Sequence, residues 1–123
     1  MSKVLVAEDD ADIRLLVSMR LQNAGYEVVQ AEDGQQALDL VASEHPELCV
    51  LDVSMPKVDG FEVTRRIRAN KDTARLPVIL LTARAQTRDI SEGLAAGATD
   101  YVPKPFKAED LVARVNAELA VQP

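Results

Sequence analysis

Residues 4–10 read Val-Leu-Val-Ala-Glu-Asp-Asp, an apolar run that ends in three consecutive carboxylates. A second apolar run, residues 48–51, is followed at once by Asp52. Short apolar runs of this kind are typical of strands that are buried on both faces of a parallel sheet. Ligands of open α/β sheets bind in the crevice beyond the carboxyl ends of the strands. The two acidic strand ends therefore predict a site at one edge of such a sheet.

Carboxylates gathered in one crevice repel each other. At an effective dielectric constant near 20, two carboxylates ~5 Å apart repel by roughly 3 kcal/mol. A hard divalent cation offsets this repulsion, because such ions prefer carboxylate and carbonyl oxygens as ligands. We therefore expect a divalent cation at the ends of the first and third predicted strands.

Strand-like patterns recur five times along the chain. Apolar runs predict strands at about residues 3–7, 26–31, 48–51, 78–81 and 98–102. The second of these is the most polar, so we place it at an edge of the sheet. Helical periodicity separates the strands, and alternating strands and helices predict a parallel sheet with helices on both faces.

Helices are predicted after each strand from their apolar spacing and end signals. The first and last lie at about residues 12–24 and 107–120. Three further helices lie between them: one capped by Asp33, one carrying Val63 and Ile67, and one carrying Ile90 and Leu94.

The composition indicates an ordinary globular protein. Its 123 residues predict one domain, residues 1–123. The net charge of -6 argues against direct binding to nucleic acid or to an anionic membrane. Cys49 lies in an apolar strand and is expected to be a small buried hydrophobe. We find neither a signal peptide pattern nor an apolar run long enough to span a bilayer, and expect a cytoplasmic protein.

Four kinds of polar group stand at predicted strand ends: the acids at residues 8–10, Asp52, the hydroxyl of Thr82 and the amine of Lys104. In a parallel sheet all four lie along the same edge. Acids hold a hard cation, whereas a hydroxyl and an ammonium group hold anionic oxygens. This combination suits a magnesium-assisted phosphoryl transfer, in which positioning and charge neutralisation supply most of the catalysis.

Four segments together resemble the receiver domains of bacterial two-component response regulators. They are Val-Ala-Glu-Asp-Asp at 6–10, Leu-Asp-Val-Ser-Met-Pro at 51–56, Leu-Thr-Ala at 81–83 and Tyr-Val-Pro-Lys-Pro-Phe at 101–106. Each segment alone is a weak signal, but their order and spacing over nearly the whole chain make the resemblance specific. It implies a flavodoxin-like (βα)5 doubly wound sandwich with a five-stranded parallel sheet in the order 2-1-3-4-5.

The resemblance also implies roles for the residues at the sheet edge. Asp52 is the expected phosphoacceptor, whose carboxylate attacks phosphorus to form an acyl phosphate. Asp9 is the expected principal Mg²⁺ ligand, with Glu8 at the neighbouring acidic position. The backbone carbonyl of Ser54 is expected to complete the protein's share of the metal shell. Lys104 is expected to pair with a phosphoryl oxygen.

Two further residues are expected to report phosphorylation. Thr82 would hydrogen-bond a phosphoryl oxygen, and Tyr101 would move inward with it, changing the face formed by the fourth helix, fifth strand and fifth helix. Asp10 lies one residue beyond the usual acidic pair and is expected to cap the first helix. The Lys104–Pro105 bond is expected to be cis, which only a bond to proline adopts at low energy.

The implied protein is a phosphoacceptor that assists its own phosphorylation and dephosphorylation, rather than an enzyme. Its expected partners are a sensor histidine kinase or histidine phosphotransfer protein and a downstream effector or output domain. Ser54 and Arg84 are expected to tune the lifetime of the acyl phosphate. Asp100 and Arg114 occupy positions of a cross-subunit ion pair, so weak dimerisation is expected on activation. Ile90 stands where dimerising members usually have a basic residue.

The sequence has three other interpretations. A flavin-binding protein of this fold needs a Ser/Thr/Gly-rich phosphate loop, which the acids at residues 8–10 would repel. Residues 10–12 fit the Asp-x-Asp motif of haloacid-dehalogenase-type phosphatases, but they fall past the strand. A receiver-shaped adaptor that binds a partner without being phosphorylated remains as the alternative. Loss of an acid, the acceptor, Thr82 or Lys104 would favour it, and all of these are present.

Overall fold

The computed structural model describes residues 2–83 and 87–120. Strands and helices alternate throughout these residues. The strands are β1 Lys3–Ala7, β2 Glu27–Ala31, β3 Leu48–Asp52, β4 Val78–Thr82 and β5 Asp100–Pro103. The helices are α1 Ala11–Asn23, α2 Gly34–Glu44, α3 Gly60–Ala69, α4 Thr87–Ala96 and α5 Ala108–Ala120.

The strands form one parallel sheet in the order β2-β1-β3-β4-β5. This confirms the predicted order and the predicted edge position of β2. Every residue of β3 and β4 is buried, as expected for strands covered on both faces. Cys49 is buried with them and is a free thiol.

Alternate residues of the strands point into two separate cores. Residues of one core come from α2, α3 and α4 together with strand residues such as Leu5, Cys49 and Leu51. The other core combines α1 and α5 with strand residues such as Val6 and Val50. The helices therefore cover both faces of the sheet, which is the doubly wound sandwich that the sequence predicted.

Strand register determines which residues reach the carboxyl edge of the sheet. Ala7 pairs with Leu51, so Asp52 extends one residue beyond the end of β1. Thr82 pairs with Pro103, so Lys104 follows directly at the same level. Both β3 and β4 are one residue longer than predicted and end on Asp52 and Thr82 themselves.

Aspartates cap the helices that start near this edge. Asp10 Oδ1 accepts hydrogen bonds from the backbone N–H groups of Asp12 and Ile13, at 2.9 and 3.2 Å. Asp33 Oδ1 accepts one from Gln36 N at 2.8 Å. Both predicted N-caps are confirmed, and each satisfies helix donors that have no partner within the helix.

The apolar face of α4 was predicted incorrectly in part. Leu94 is 53% exposed, because α4 packs on the sheet through the neighbouring stripe of Asp89, Gly93 and Ala96, which are buried. On α1, Leu15, Leu16 and Met19 are likewise exposed. Within residues 2–83 and 87–120, no helix combines the length and the apolar character that crossing a bilayer requires.

Candidate functional site

Three carboxylates meet where β1 and β3 end. Glu8, Asp9 and Asp52 each offer an oxygen, and these oxygens all lie within 4.8 Å of one another. Glu8 is only 1% exposed and Asp52 4% exposed, whereas Asp9 is exposed. The cluster is therefore enclosed by protein at its base and accessible to solvent on the side of Asp9.

Lys104 follows the carboxyl end of β5, and its side chain reaches the same cluster. Its Nζ lies 2.7 Å from Glu8 Oε1 and 3.1 Å from Asp52 Oδ1. Its backbone N–H donates to the carbonyl of Thr82 at 2.6 Å, and the bond from Lys104 to Pro105 is cis, as expected. The ammonium group thus links two carboxylates that would otherwise repel each other.

Burial changes the proton affinities of this cluster. The pKa of Glu8 is raised to about 7, mainly by burial; the hydrogen bond from Lys104 lowers it, and the nearby Asp52 charge raises it. Burial alone would lower the pKa of Lys104, but its bonds to Glu8 and Asp52 outweigh that effect and the pKa is raised. An ammonium group is therefore maintained beside the acids at neutral pH.

The donor set fits a hard divalent cation. When Glu8 is ionised together with Asp9 and Asp52, the three carboxylates and one ammonium group carry a net charge of about -2, which a divalent ion would balance. All the candidate side-chain ligands are oxygens, and Mg²⁺ favours a site with few protein oxygens and several waters. The exposed side near Asp9 leaves space for those waters and for a substrate.

Thr82 and Tyr101 lie on β4 and β5, the two strands that follow β3 in the sheet. Thr82 is the last residue of β4 and is buried. Tyr101 is only 8% exposed, and its ring packs so closely on α4 that a Cβ at Gly93 would lie 2.8 Å from it. This structure has the ring in the inward position that we expected to accompany phosphorylation, so the movement itself stays a prediction.

Ser54, Arg84 and the pair of Asp100 and Arg114 were also predicted to have functional roles. Ser54 is exposed, two residues after Asp52. Arg84 lies outside the described residues, so its role stays a prediction. Arg114 pairs with Asp100 of its own chain, at 2.8 and 2.9 Å. The two side chains are close enough to pair within one protomer, and their pairing across two subunits on activation stays a prediction.

One supporting residue was missed by the sequence analysis. Arg14, in the first turns of α1, donates from Nη1 to the backbone carbonyl of Glu8 at 2.8 Å. It lies 3.6 Å from Glu32 and so ties the acidic turn to the end of β2. The sequence could not predict this bond, because its acceptor is a backbone carbonyl, which every residue type has.

Comparison with known proteins agrees with this geometry. A family model described as the response regulator receiver domain matches residues 4–116. Response regulator MprA of Mycolicibacterium vanbaalenii is 47% identical over 117 residues, which cover 95% of this chain and 50% of that protein. The DNA-binding dual master transcriptional regulator RpaA of Synechocystis sp. is 45% identical over 119 residues, which cover 97% of this chain and 49% of that protein. The chain thus spans about half the length of these curated relatives.

A solved structure adds an observation about metal binding. The receiver domain of a sensor histidine kinase from Pseudomonas aeruginosa superposes with a TM-score of 0.89 and 32% identity, covering 97% of this chain and 98% of that one. That structure holds a magnesium ion coordinated in its active-site cleft. The predicted flavodoxin-like fold is confirmed by the observed strand order and by this likeness. The chain belongs to the response regulator receiver domain family of two-component signal transduction.

Proposed function

We propose that this chain is a signalling switch that accepts one phosphoryl group on Asp52 with the help of Mg²⁺. The observation that carries the proposal is the environment of the Asp52 carboxylate. It lies 3.1 Å from the ammonium group of Lys104 and within 4.8 Å of oxygens of Glu8 and Asp9. A lone carboxylate after a strand is ordinarily a turn residue, whereas this one is buried beside an ammonium group and two further carboxylates.

The proposed reaction is an in-line displacement at phosphorus. An oxygen of Asp52 forms a bond to phosphorus, and the bond to the leaving group breaks with its electron pair remaining on that group. Lys104 would exchange its carboxylate partners for a phosphoryl oxygen. Glu8, Asp9 and Asp52, with the carbonyl of Ser54, would hold Mg²⁺, which supplies neutralisation of the phosphoryl charge when bound.

Thr82 and Tyr101 would transmit the change of state. Thr82 ends the strand adjacent to Asp52, since Asp52 pairs with Leu81 in the register of β3 and β4. A bond from its hydroxyl to the phosphoryl group would pull on the end of β4. The packing of Tyr101 against Gly93 would pass this displacement to α4. The α4-β5-α5 face is therefore the proposed surface for a downstream partner.

The proposed donor is a sensor histidine kinase or a histidine phosphotransfer protein. The proposed recipient of the signal is an effector protein or an output domain, because the relatives are about twice as long as this chain. RpaA is named as a DNA-binding protein. With a net charge of -6, this chain is proposed not to contact nucleic acid itself.

Labelling with a small phosphodonor tests the proposal. The protein is incubated with acetyl phosphate in Mg²⁺ or in excess chelator, and its intact mass is measured over time. We expect a gain of one phosphoryl group with Mg²⁺ and little gain in chelator. A protein that stays unmodified in Mg²⁺ with acetyl phosphate, and also with a phosphorylated histidine donor, would support the adaptor interpretation instead.

A further inference from the structure

The loop that follows Asp52 packs against a turn from a distant part of the chain. We define the acceptor loop as residues 53–59, between β3 and α3. The turn between β2 and α2 contacts it at two points. Gly34 N donates to the carbonyl of Pro56 over 3.5 Å, and Lys57 Nζ lies 3.5 Å from Asp33 Oδ2.

Gly34 approaches the loop too closely for any other residue. A Cβ built at Gly34 would lie 1.8 Å from the carbonyl oxygen of Val58 and 2.6 Å from its carbonyl carbon. Real Cβ atoms essentially never come within 3.0 Å of a non-bonded heavy atom. The two nearest atoms are backbone and the third is the Cβ of Val58 at 2.8 Å, so no side-chain rotation relieves the clash.

Backbone conformation does not explain a glycine at this position. Among the described glycines, only Gly25 and Gly97 have a positive φ. Gly34 is the first residue of α2, where alanine has the higher intrinsic helix propensity by up to about 1 kcal/mol. Helix propensity alone would therefore favour alanine, and the contact with Val58 opposes it.

The acceptor loop is short and fixed at both ends, so it transmits displacement. Val53 N donates to the carbonyl of Leu81 at 2.9 Å, and Gly60 N donates to the carbonyl of Val53 at 2.8 Å. Val58 N donates to Pro56 O at 2.8 Å around Lys57, whose φ is 69°. A shift of more than about 1 Å at Val58 would therefore displace the backbone near Ser54 and Asp52 rather than be absorbed locally.

We propose that Gly34 is a positioning residue for phosphorylation, acting through the acceptor loop. Its missing side chain lets the β2–α2 turn hold the loop in the place where the Ser54 carbonyl and the Asp52 carboxylate can serve the metal together. The inference rests on the proposed function, because it assumes that these two groups contribute to a Mg²⁺ site. Gly34 itself touches neither the metal nor the phosphodonor.

Gly34→Ala tests this inference, with Gly25→Ala as the matched control. Gly25 has nothing within 4 Å of a built Cβ, but its φ of 100° makes alanine strained there. Gly25→Ala therefore also replaces a glycine with alanine and destabilises the fold, but it does so without a clash against the acceptor loop. Both variants are compared with wild type at a temperature where urea unfolding shows them to be folded.

Two quantities are measured for each protein: the Mg²⁺ affinity by calorimetric titration, and the rate of labelling by acetyl phosphate at saturating Mg²⁺. We expect Gly34→Ala to bind Mg²⁺ several-fold more weakly and to be labelled about 10- to 100-fold more slowly, since a misplacement of about 1 Å has effects of this size. Gly25→Ala should match wild type within about twofold in both. Equal values for Gly34→Ala and wild type would overturn the inference.

A milder variant covers the case in which Gly34→Ala does not fold. Asp33→Ala removes the acceptor for Gln36 N and the partner of Lys57, and so loosens the same turn without adding atoms. We expect it to weaken Mg²⁺ binding several-fold, whereas Val41→Ala, a packing change in the same helix, should not. Unchanged binding in Asp33→Ala would overturn the inference. Failure of wild type to bind Mg²⁺ or to be labelled would instead overturn the proposed function.

Discussion

Lys104→Met removes the ammonium group that lies 2.7 Å from Glu8 and 3.1 Å from Asp52. The side chains of the two carboxylates are 1% and 5% exposed, so they lose their cation without gaining water. Removing one partner of a buried ion pair costs about 3–5 kcal/mol. Because the ammonium group is itself part-exposed and the cluster opens toward Asp9, we expect a loss of about 2–3 kcal/mol in the free energy of unfolding at pH 8 without metal.

The free energy of unfolding that Lys104→Met loses should increase with pH. The pKa of Glu8 in the folded protein is already raised to about 7, above the 4.5 of a free glutamate. The folded state therefore binds more protons than the unfolded state between these values, and its stability falls as pH rises through them. Without Lys104 the pKa of Glu8 rises further, because the ammonium group lowers it in the wild-type protein. The Lys104→Met defect should therefore be small at pH 5, where Glu8 is protonated, and largest at pH 8.

Urea unfolding followed by circular dichroism at pH 5 and pH 8, in chelator, measures this difference. Lys71→Met is the matched control, since Lys71 is exposed and far from the carboxylates in the fold. Adding Mg²⁺ at pH 8 should restore part of the stability of Lys104→Met, because the ion replaces the lost positive charge. An equal loss at both pH values, or no loss at either, would refute the account of the cluster.

Three further predictions concern metal binding, switching and assembly. Asp9→Ala should weaken Mg²⁺ binding and raise the melting temperature of the metal-free protein, because it removes one of the repelling charges; unchanged Mg²⁺ affinity would show that Asp9 is not a ligand. Beryllofluoride, a phosphoryl mimic, should change hydrogen exchange most across residues 82–106, and identical protection there would count against a switch on that face. Sedimentation should show a monomer without beryllofluoride and weak dimerisation with it, reduced in Arg114→Glu, although the existing bond of Arg114 to Asp100 competes with any bond between subunits. Dimerisation as strong in Arg114→Glu as in wild type would exclude this residue from the interface.

The fold and the position of the site followed from the sequence because both depend on strands buried on two faces. Such strands are nearly continuous apolar runs, so their ends are visible as the first polar residue, here Glu8 and Asp52. A parallel sheet then brings these ends to one edge. The bond between Lys104 and Glu8 joins residues 96 positions apart. The predicted parallel sheet placed both residues at the same edge, but the sequence did not predict that these two side chains would pair.

The features that the sequence did not predict depend on tertiary contacts. Leu94 has the spacing of a core residue, but α4 buries the neighbouring stripe of Gly93 and Ala96 instead and leaves Leu94 exposed. Arg14 binds a backbone carbonyl, which any residue type supplies. The contact of Gly34 with Val58 needs the distance between two loops, and apolar periodicity carries no such information.

The central claim is that Asp52 is the phosphoacceptor, and site-directed substitution of this residue tests it most directly. Wild type, Asp52→Asn and Asp59→Asn are incubated with acetyl phosphate and Mg²⁺, and their intact masses are compared. Asp59 is the matched control, because it is an exposed aspartate at the start of α3 that caps the helix through Glu62 N. We predict one added phosphoryl group on wild type and Asp59→Asn and none on Asp52→Asn. Labelling of Asp52→Asn at the wild-type rate and extent would contradict the account.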